Sequence, residues 1–317
     1  MDGGDGDGDG SSLKVITFNT GGSASGTNND GDNFNDTQAG YSDEFYGNGL
    51  AWGEAVTAVT DFLAVESPEV IGFQEIFHSP ECESIPANAQ TGFVCETWSP
   101  GDPTVANVIL GSGYQVACNL GKPDKCIGVK TSFATIDGCS GDFCLDGLDG
   151  ASVPDCGGGS RVGRATLTLA AGGSLTVVLY HGTSGFTGSD ADCRIAQTEQ
   201  VFVSLDGQGG PPAANGQRNI VLGDLNTDPY RAFIADSSAR RWRDFVGRPG
   251  DQDVDYFFIS DVGLDSTPTY AGSLTIDHVI SDAYVGNCRA PGTDGEPPVY
   301  PYAYFDHVPI VCELSLP

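Results

Sequence analysis

One pattern constrains this chain more than any other: short apolar runs of strand length, each ending in an acid, an amide or an imidazole. Val15-Ile16-Thr17-Phe18 ends in Asn19, and Val70-Ile71-Gly72-Phe73 ends in Gln74-Glu75. The run from Leu175 to Tyr180 ends in His181, and Ile220-Val221-Leu222-Gly223 ends in Asp224, with Asn226 two residues on. Near the C-terminus Asp277-His278 and Asp306-His307 each open another apolar run. Uninterrupted apolar runs suit strands buried on both faces. Strand ends on one edge of a sandwich can converge, and a rigid edge of carboxylates, amides and imidazoles is what hard-metal phosphoester chemistry needs. Each piece alone has a plain structural reading, because a strand-end Asp or Asn ordinarily bonds its own backbone in a turn or cap. It is the ordered recurrence that points to a site.

The rest of the chain spaces these pieces. Residues 13–18 read as the first strand, and residues 21–49, rich in Gly, Asn, Asp and Ser, as a long polar loop. Ala55, Val59, Phe62 and Leu63 recur at helical spacing before Pro68, which predicts a helix over residues 51–66. A strand over 70–73, a cysteine-bearing loop over 78–103 and a short helix over 104–110 follow. Strands are expected over 114–117 and 127–136, then a Gly/Asp/Cys-rich insertion over 137–160. A hairpin of 164–169 with 175–180, a helix over 190–205, and strands over 219–222, 254–260, 278–281 and 308–314 complete the set. There is no internal repeat and no domain boundary. Residues 13–317 read as one domain, an α+β fold with two layers of sheet and flanking helices.

Charge narrows the function classes. The chain of 317 residues carries 43 acids against 14 bases, a net charge of −29. It lacks the basic footprint that releases counterions from a polyanion. Any phosphate must therefore be met locally, by a cation or a few placed arginines. The plain alternative is that the acids only keep the protein soluble. Arg161 and Arg164 flank a strand start after a glycine-rich stretch and are candidates for phosphate contacts, since Arg offers a bidentate fork; pairing with surface acids is the competing reading. Arg240, Arg241 and Arg243, around Trp242, read as a helix end or solvated loop, with a substrate-facing patch as the alternative.

Ten cysteines, none in C-x-x-C spacing, with only four histidines, favour disulfides in an oxidising compartment over a zinc site. Cys82/Cys95, Cys118/Cys126 and Cys139/Cys144 could each clip a loop, and Cys288/Cys312 could tie the last strand to the one before it; the connectivity stays open. Met1 is followed directly by an acidic Gly/Asp tract, and residues 1–12 read as a flexible linker. We read Met1 as a start that replaces an export signal, and such a tract as like the tether of a bacterial surface lipoprotein. The tract also resembles a calcium loop from Asp5, but its twelfth position is Ile16, not an acid.

In order and rough spacing, Phe18-Asn19, Gln74-Glu75, His181, Gly223-Asp224-Leu225-Asn226, Ile276-Asp277-His278 and Asp306-His307-Val308-Pro309 resemble the signature of the endonuclease/exonuclease/phosphatase superfamily, which includes DNase I-like nucleases and sphingomyelinase-like phosphodiesterases. Many members have Ser before the last Asp-His, where this chain has Phe305. The resemblance implies a four-layer α/β/β/α sandwich of two mainly antiparallel sheets. It implies that Glu75 is the main ligand of Mg²⁺ or Mn²⁺, with Ca²⁺ an alternative, supported by Asn19 and Asp306. His307 would be the general base on water, oriented by Asp277. Asp224 and Asn226 would position water and phosphate, and His181 would donate to the phosphate or the leaving oxygen. On a strand, neighbours face opposite ways, so Asp277 rather than His278 is expected in the site.

The same resemblance bears on substrate. Members acting in base-excision repair typically have Tyr and Asn where this chain has His181, so the His points to the nuclease or sphingomyelinase branches. The first reading is a secreted endonuclease or general phosphodiesterase, monomeric and with no stable protein partner. The second is a lipid-headgroup phosphodiesterase, for which the aromatic tract of residues 297–305 would supply a membrane-facing hairpin; the same tract could instead wall the site. A non-catalytic binding module on the same fold is the remaining alternative.

Overall fold

The structure is a computed structural model that describes residues 12–23, 33–230 and 236–317. Apart from Ser12, the expected acidic linker and its calcium-loop-like tract lie outside the described residues. In chain order the elements are β1 (Leu13–Asn19), α1 (Asp36–Tyr46), α2 (Gly53–Glu66), β2 (Val70–Gln74), α3 (Val105–Leu110), β3 (Tyr114–Asn119), β4 (Lys122–Lys130), β5 (Ala134–Ile136) and β6 (Phe143–Leu145). Then come β7 (Val162–Leu169), β8 (Ser174–His181), α4 (Gly188–Phe202), β9 (Asn219–Asp224), α5 (Ser237–Arg243), β10 (Val246–Gly247), β11 (Tyr256–Phe258), β12 (Asp277–Ser281), β13 (Val285–Arg289) and β14 (Ile310–Ser315). Short 3₁₀ turns fill the cysteine-bearing loop after β2.

The strands form two seven-stranded sheets, ordered β13-β14-β1-β2-β4-β3-β6 and β10-β11-β12-β9-β8-β7-β5. Both are mixed but mainly antiparallel; β1–β2 and β8–β9 are among the parallel pairs. The period-two alternation of the apolar runs sorts side chains into layers. Val15, Val70, Ile127 and Val129 from one sheet meet Val177, Leu179, Ile220 and Leu222 from the other in the central layer. Ile16, Phe18, Ile71 and Phe73 point the other way, to Val59, Leu63 and Ile109 of α2 and α3. Val178, Tyr180 and Val221 pack against Val201 of α4 and Trp242 of α5. The result is helix, sheet, sheet, helix, as the sequence implies. Gly72 lets the sheets close: a Cβ there would collide with Leu222 and Leu179 across the central layer.

Three expectations need correction. The polar loop over 21–49 contains α1, capped by Asn35, whose side chain accepts from the backbone of Thr37 and Gln38, and ended by left-handed Gly47. Only Ala39, Ser42 and Tyr46 are buried along α1, so its apolar stripe is too thin to read against a polar background. The single strand over 127–136 is two: β4 ends at Lys130 and β5 belongs to the opposite sheet, so the chain crosses the sandwich between them. The edge strand β13 was not expected; its residues are mostly exposed, and without burial there is no alternation to detect.

Five disulfides join Cys82–Cys95, Cys118–Cys126, Cys139–Cys144, Cys156–Cys193 and Cys288–Cys312. The loop clips and the β13–β14 tie match the expected neighbours, and Cys156–Cys193 pins the insertion to α4. No described helix is long and apolar enough to cross a membrane.

Candidate active site

Strand register brings the polar ends to one edge. β1 and β2 run parallel with Asn19 opposite Gln74, so Asn19 and Glu75 emerge together. β8 and β9 run parallel with His181 opposite Asp224. β12 is antiparallel to β9 and opens with Asp277 opposite Asp224. His307 arrives on the segment before β14, bridged to Tyr270, with the Val308 N–H donating to the Thr269 carbonyl at 2.9 Å and the Ala271 N–H to that of Asp306 at 2.9 Å.

At the centre, Asp277 Oδ2 lies 2.8 Å from His307 Nδ1. That bond leaves Nε2 of His307 facing the cleft, 3.3 Å from Asn19 Nδ2, 3.8 Å from Asp224 Oδ2 and 3.9 Å from Asp306 Oδ1. Asn19 also donates to Asp224 Oδ2 at 3.1 Å. Asn226 binds the same carboxylate twice, through its backbone N–H at 2.7 Å and its side-chain amide at 2.8 Å. His181 Nε2 stands 3.5 Å from Glu75 Oε1 and 3.7 Å from Asp224 Oδ2, while its Nδ1 is buried without a hydrogen-bond partner among the described residues. Glu75 adopts a left-handed backbone at φ 58°, which costs a non-glycine residue roughly 1–2 kcal/mol. Its carbonyl accepts from the Leu50 N–H at 3.0 Å, which helps hold that conformation.

His278 turns away, as strand alternation requires. Its Nε2–H donates to the Thr275 carbonyl at 3.0 Å, so Nδ1 accepts from the Ser260 hydroxyl at 2.9 Å. Arg161 lies beside the site, donating to the Gly182 carbonyl at 3.2 Å. Arg164 is engaged elsewhere, with the Asp149 carboxylate at 2.5 Å and the Pro212 carbonyl at 3.5 Å. The two candidate arginines are therefore not brought together.

The electrostatics fit a site built for a cation. Burial pushes Glu75 upward, with Asp306 adding to the rise and His307 opposing it. Burial and Asp277 push Asp224 up to about 7, against the pull of His307. Burial also raises Asp306. For His307, burial disfavours the charge, but Asp277, Asp224 and Asp306 outweigh it and raise the imidazole to about 10. Burial, reinforced by Lys125 and Arg161, keeps His181 well below the usual range and hence neutral. Partly desolvated carboxylates crowded together are relieved by a divalent cation with hard oxygen ligands, so the residues present suit Mg²⁺ or Mn²⁺. Asp224, Asp277 and His307 also place donor atoms within 4.8 Å of one another. His307 Nδ1 and Asp277 already satisfy each other in that trio, so the carboxylates of Glu75 and Asp306, each about a third exposed, are the more open oxygen donors, while Asn19 Oδ1 accepts from the Gly21 N–H at 3.0 Å.

Several neighbours were not anticipated. Lys125 is buried, with its ammonium 2.8 Å from Asp124, and burial lowers it to about 8 although Asp124 opposes the shift. Period two puts it on the face of β4 shared by Ile127 and Val129, and a lysine among inward-facing residues was the available signal. Thr269 accepts from the backbone N–H groups of Ile276 and Asp277, both at 3.1 Å, fixing the start of β12. The ring of Tyr270 lies 4.7 Å from that of His307. Gly21 sits where a Cβ would collide with Glu75 Oε2.

No protein-family model matches the sequence, and no curated protein does. Solved structures do share its architecture. A humanized D. rerio TDP2 carrying 14 mutations aligns over 96% of this chain and 99% of that one, at 13% identity and a TM-score of 0.56. The human Nocturnin catalytic domain with bound sulfate aligns over 96% and 95%, at 14% identity and a TM-score of 0.51. An endonuclease/exonuclease/phosphatase from Beutenbergia cavernae DSM 12333 aligns over 96% and 72%, at 13% identity and a TM-score of 0.52. The fold is the DNase I-like sandwich of these solved structures. At these identities the likeness establishes the DNase I-like sandwich, and the chemistry has to be argued from the site itself.

Proposed function

We propose that this chain is a secreted, divalent-metal-dependent phosphodiesterase of the DNase I-like kind, acting on nucleic acid. One observation carries the reading: His307, held at Nδ1 by Asp277 at 2.8 Å, turns Nε2 into a cleft walled by Asn19, Glu75, Asp224 and Asp306. A base fixed in one tautomer beside clustered hard oxygen donors suits attack of water on a phosphoester.

In this reading Glu75, Asn19 and Asp306 hold the cation. Bound there, it would polarise a phosphoryl oxygen and offset the carboxylate charge that keeps the proton on His307. Nε2 of His307 takes the proton of the attacking water while Asp277 stabilises the imidazolium. Asp224, itself fixed by Asn19 and Asn226, orients that water. His181, kept neutral by burial, donates a hydrogen bond from Nε2 to a phosphate oxygen; the alternative role expected from the sequence, proton donation to the leaving oxygen, does not suit a neutral imidazole. Arg161 supplies fixed positive charge beside it. Arg164, bound to Asp149, is the weaker of the two phosphate candidates.

Disulfides at all ten cysteines support an extracellular location. The lipid-headgroup alternative asks for an exposed aromatic hairpin, and in the aromatic tract only Tyr302 among the aromatic rings is exposed. Tyr300 and Tyr304 are buried, and Tyr304 donates from its hydroxyl to the Gly49 carbonyl at 2.9 Å, which favours a packed tract over a membrane-facing one. The test is a substrate panel of plasmid DNA, sphingomyelin and a small aryl phosphodiester, each in Mg²⁺ and in EDTA. Cleavage of DNA and of the aryl diester in Mg²⁺ alone is expected. Turnover confined to sphingomyelin, or untouched by EDTA, would overturn the assignment.

A further inference from the structure

A cavity of about 650 Å³ does not hold the catalytic pair but opens beside it. Asn226 and Tyr270 belong to both regions: Asn226 binds the Asp224 carboxylate, and Tyr270 packs on the His307 ring. From there the groove runs between the loop after β8 and α5, past Leu274, to Phe186, Arg240 and Arg243. Phe186 is 82% exposed, an unusual state for a phenylalanine beside a site.

The arginines are as telling. In a chain of net charge −29, about half of the described cations are paired with an acid, Lys14, Lys125, Lys130 and Arg164 among them. Arg194, Arg241 and Arg289 each bind carboxylates. Arg240 and Arg243 line the groove with no ion pair to any described residue; Arg243 rests 5.9 Å from the Tyr230 ring. Of the nearby acids, Asp236 is held by Arg194 at 3.3 Å. A solvent-facing ring lining one groove with two guanidinium groups that have no ion pair to a described residue suits a ligand that alternates flat π-faces with anions. Unpaired bases on a phosphate backbone have that character.

We propose that this groove binds single-stranded nucleic acid next to the scissile phosphate, with Phe186 stacking on a base and Arg240 and Arg243 meeting flanking phosphates. The proposal rests on the phosphodiesterase reading above and names its substrate class. Duplex DNA is the poorer ligand, since its bases are already stacked and its charge density meets an acidic surface. Two phosphate contacts give a shallow salt dependence, a slope near −1.4 at roughly −0.7 per contact on a single strand.

The test is fluorescence anisotropy with a 5′-labelled single-stranded octanucleotide in EDTA, so that binding is read without turnover. Phe186→Ala and the pair Arg240→Ala/Arg243→Ala should each weaken binding by about tenfold, in line with the cost of one lost base stack or of lost phosphate contacts. Arg218→Ala, at the far end of β9 from Asp224, should bind as wild type. Wild-type affinity in the groove variants would overturn the proposal, as would a loss seen with sphingomyelin vesicles but not with the oligonucleotide. Hydrolysis of the aryl diester by the wild type in Mg²⁺ is measured in parallel. Groove-dependent oligonucleotide binding without that hydrolysis would sink the phosphodiesterase reading while supporting the groove.

Discussion

At the scale of single residues, the site depends on side chains whose freedom has been removed. Gly21 is an example: a methyl group there would push directly on the Glu75 carboxylate and come within 3.1 Å of Asn19 Oδ1. Gly21→Ala should therefore displace a metal ligand while leaving the core intact. Turnover of an aryl diester is expected to fall by about 100-fold, the usual scale for a misplaced catalytic group, with the melting temperature little changed; full activity in this variant would show that Glu75 is not where the chemistry happens. His278 teaches the opposite lesson, because it belongs to the fold. Burial depresses it to about 4, from an ordinary value near 6.5. A depressed folded-state value means that its contribution is fully present above pH 6.5 and is lost as pH falls through 4. The loss is about 3 kcal/mol, from 1.36 kcal/mol for each of about 2.5 units. Denaturant unfolding between pH 7 and 4 should show a flatter decline for His278→Gln than for the wild type. Parallel declines would remove His278 from the acid sensitivity.

At the scale of elements, what could be read in the sequence followed burial. β1, β2, β8, β9 and β12 were legible because each is buried along its length and ends in a polar residue, and those five strands carry Asn19, the Gln74-Glu75 corner, His181, Asp224 and Asp277. α1 and β13 were not, since α1 hides its few buried residues in a polar stretch and β13 is mostly exposed. Thr269 was missed for another reason: its role depends on long-range neighbours that no local spacing reveals, whereas Lys125 left only the sign of a lysine on an inward face. The Cys156–Cys193 bond joins elements 37 residues apart and should matter accordingly. Chain-entropy reasoning gives about 4 kcal/mol for a loop of that length. Unfolding of Cys156→Ser/Cys193→Ser should shift to lower denaturant by that scale. An unchanged midpoint would mean that the insertion is held to α4 by other contacts.

At the scale of the whole molecule, the sandwich solves a problem set by charge. A protein with 43 acids against 14 bases cannot attract a polyanion through its general surface. Two sheets packed face to face gather four carboxylates, two imidazoles and two amides at one edge, where a divalent cation would reverse the local sign. On the proposed reading, Arg240 and Arg243 would extend that reversal into the neighbouring groove. The central claim is that Glu75 holds this cation for chemistry performed by His307. Single-turnover hydrolysis of an aryl phosphodiester by Glu75→Gln, followed across a Mg²⁺ titration beside the wild type, addresses it most directly. The account predicts a rate about 100-fold lower and a half-saturation shifted to higher Mg²⁺. A variant with the rate and Mg²⁺ dependence of the wild type would contradict it.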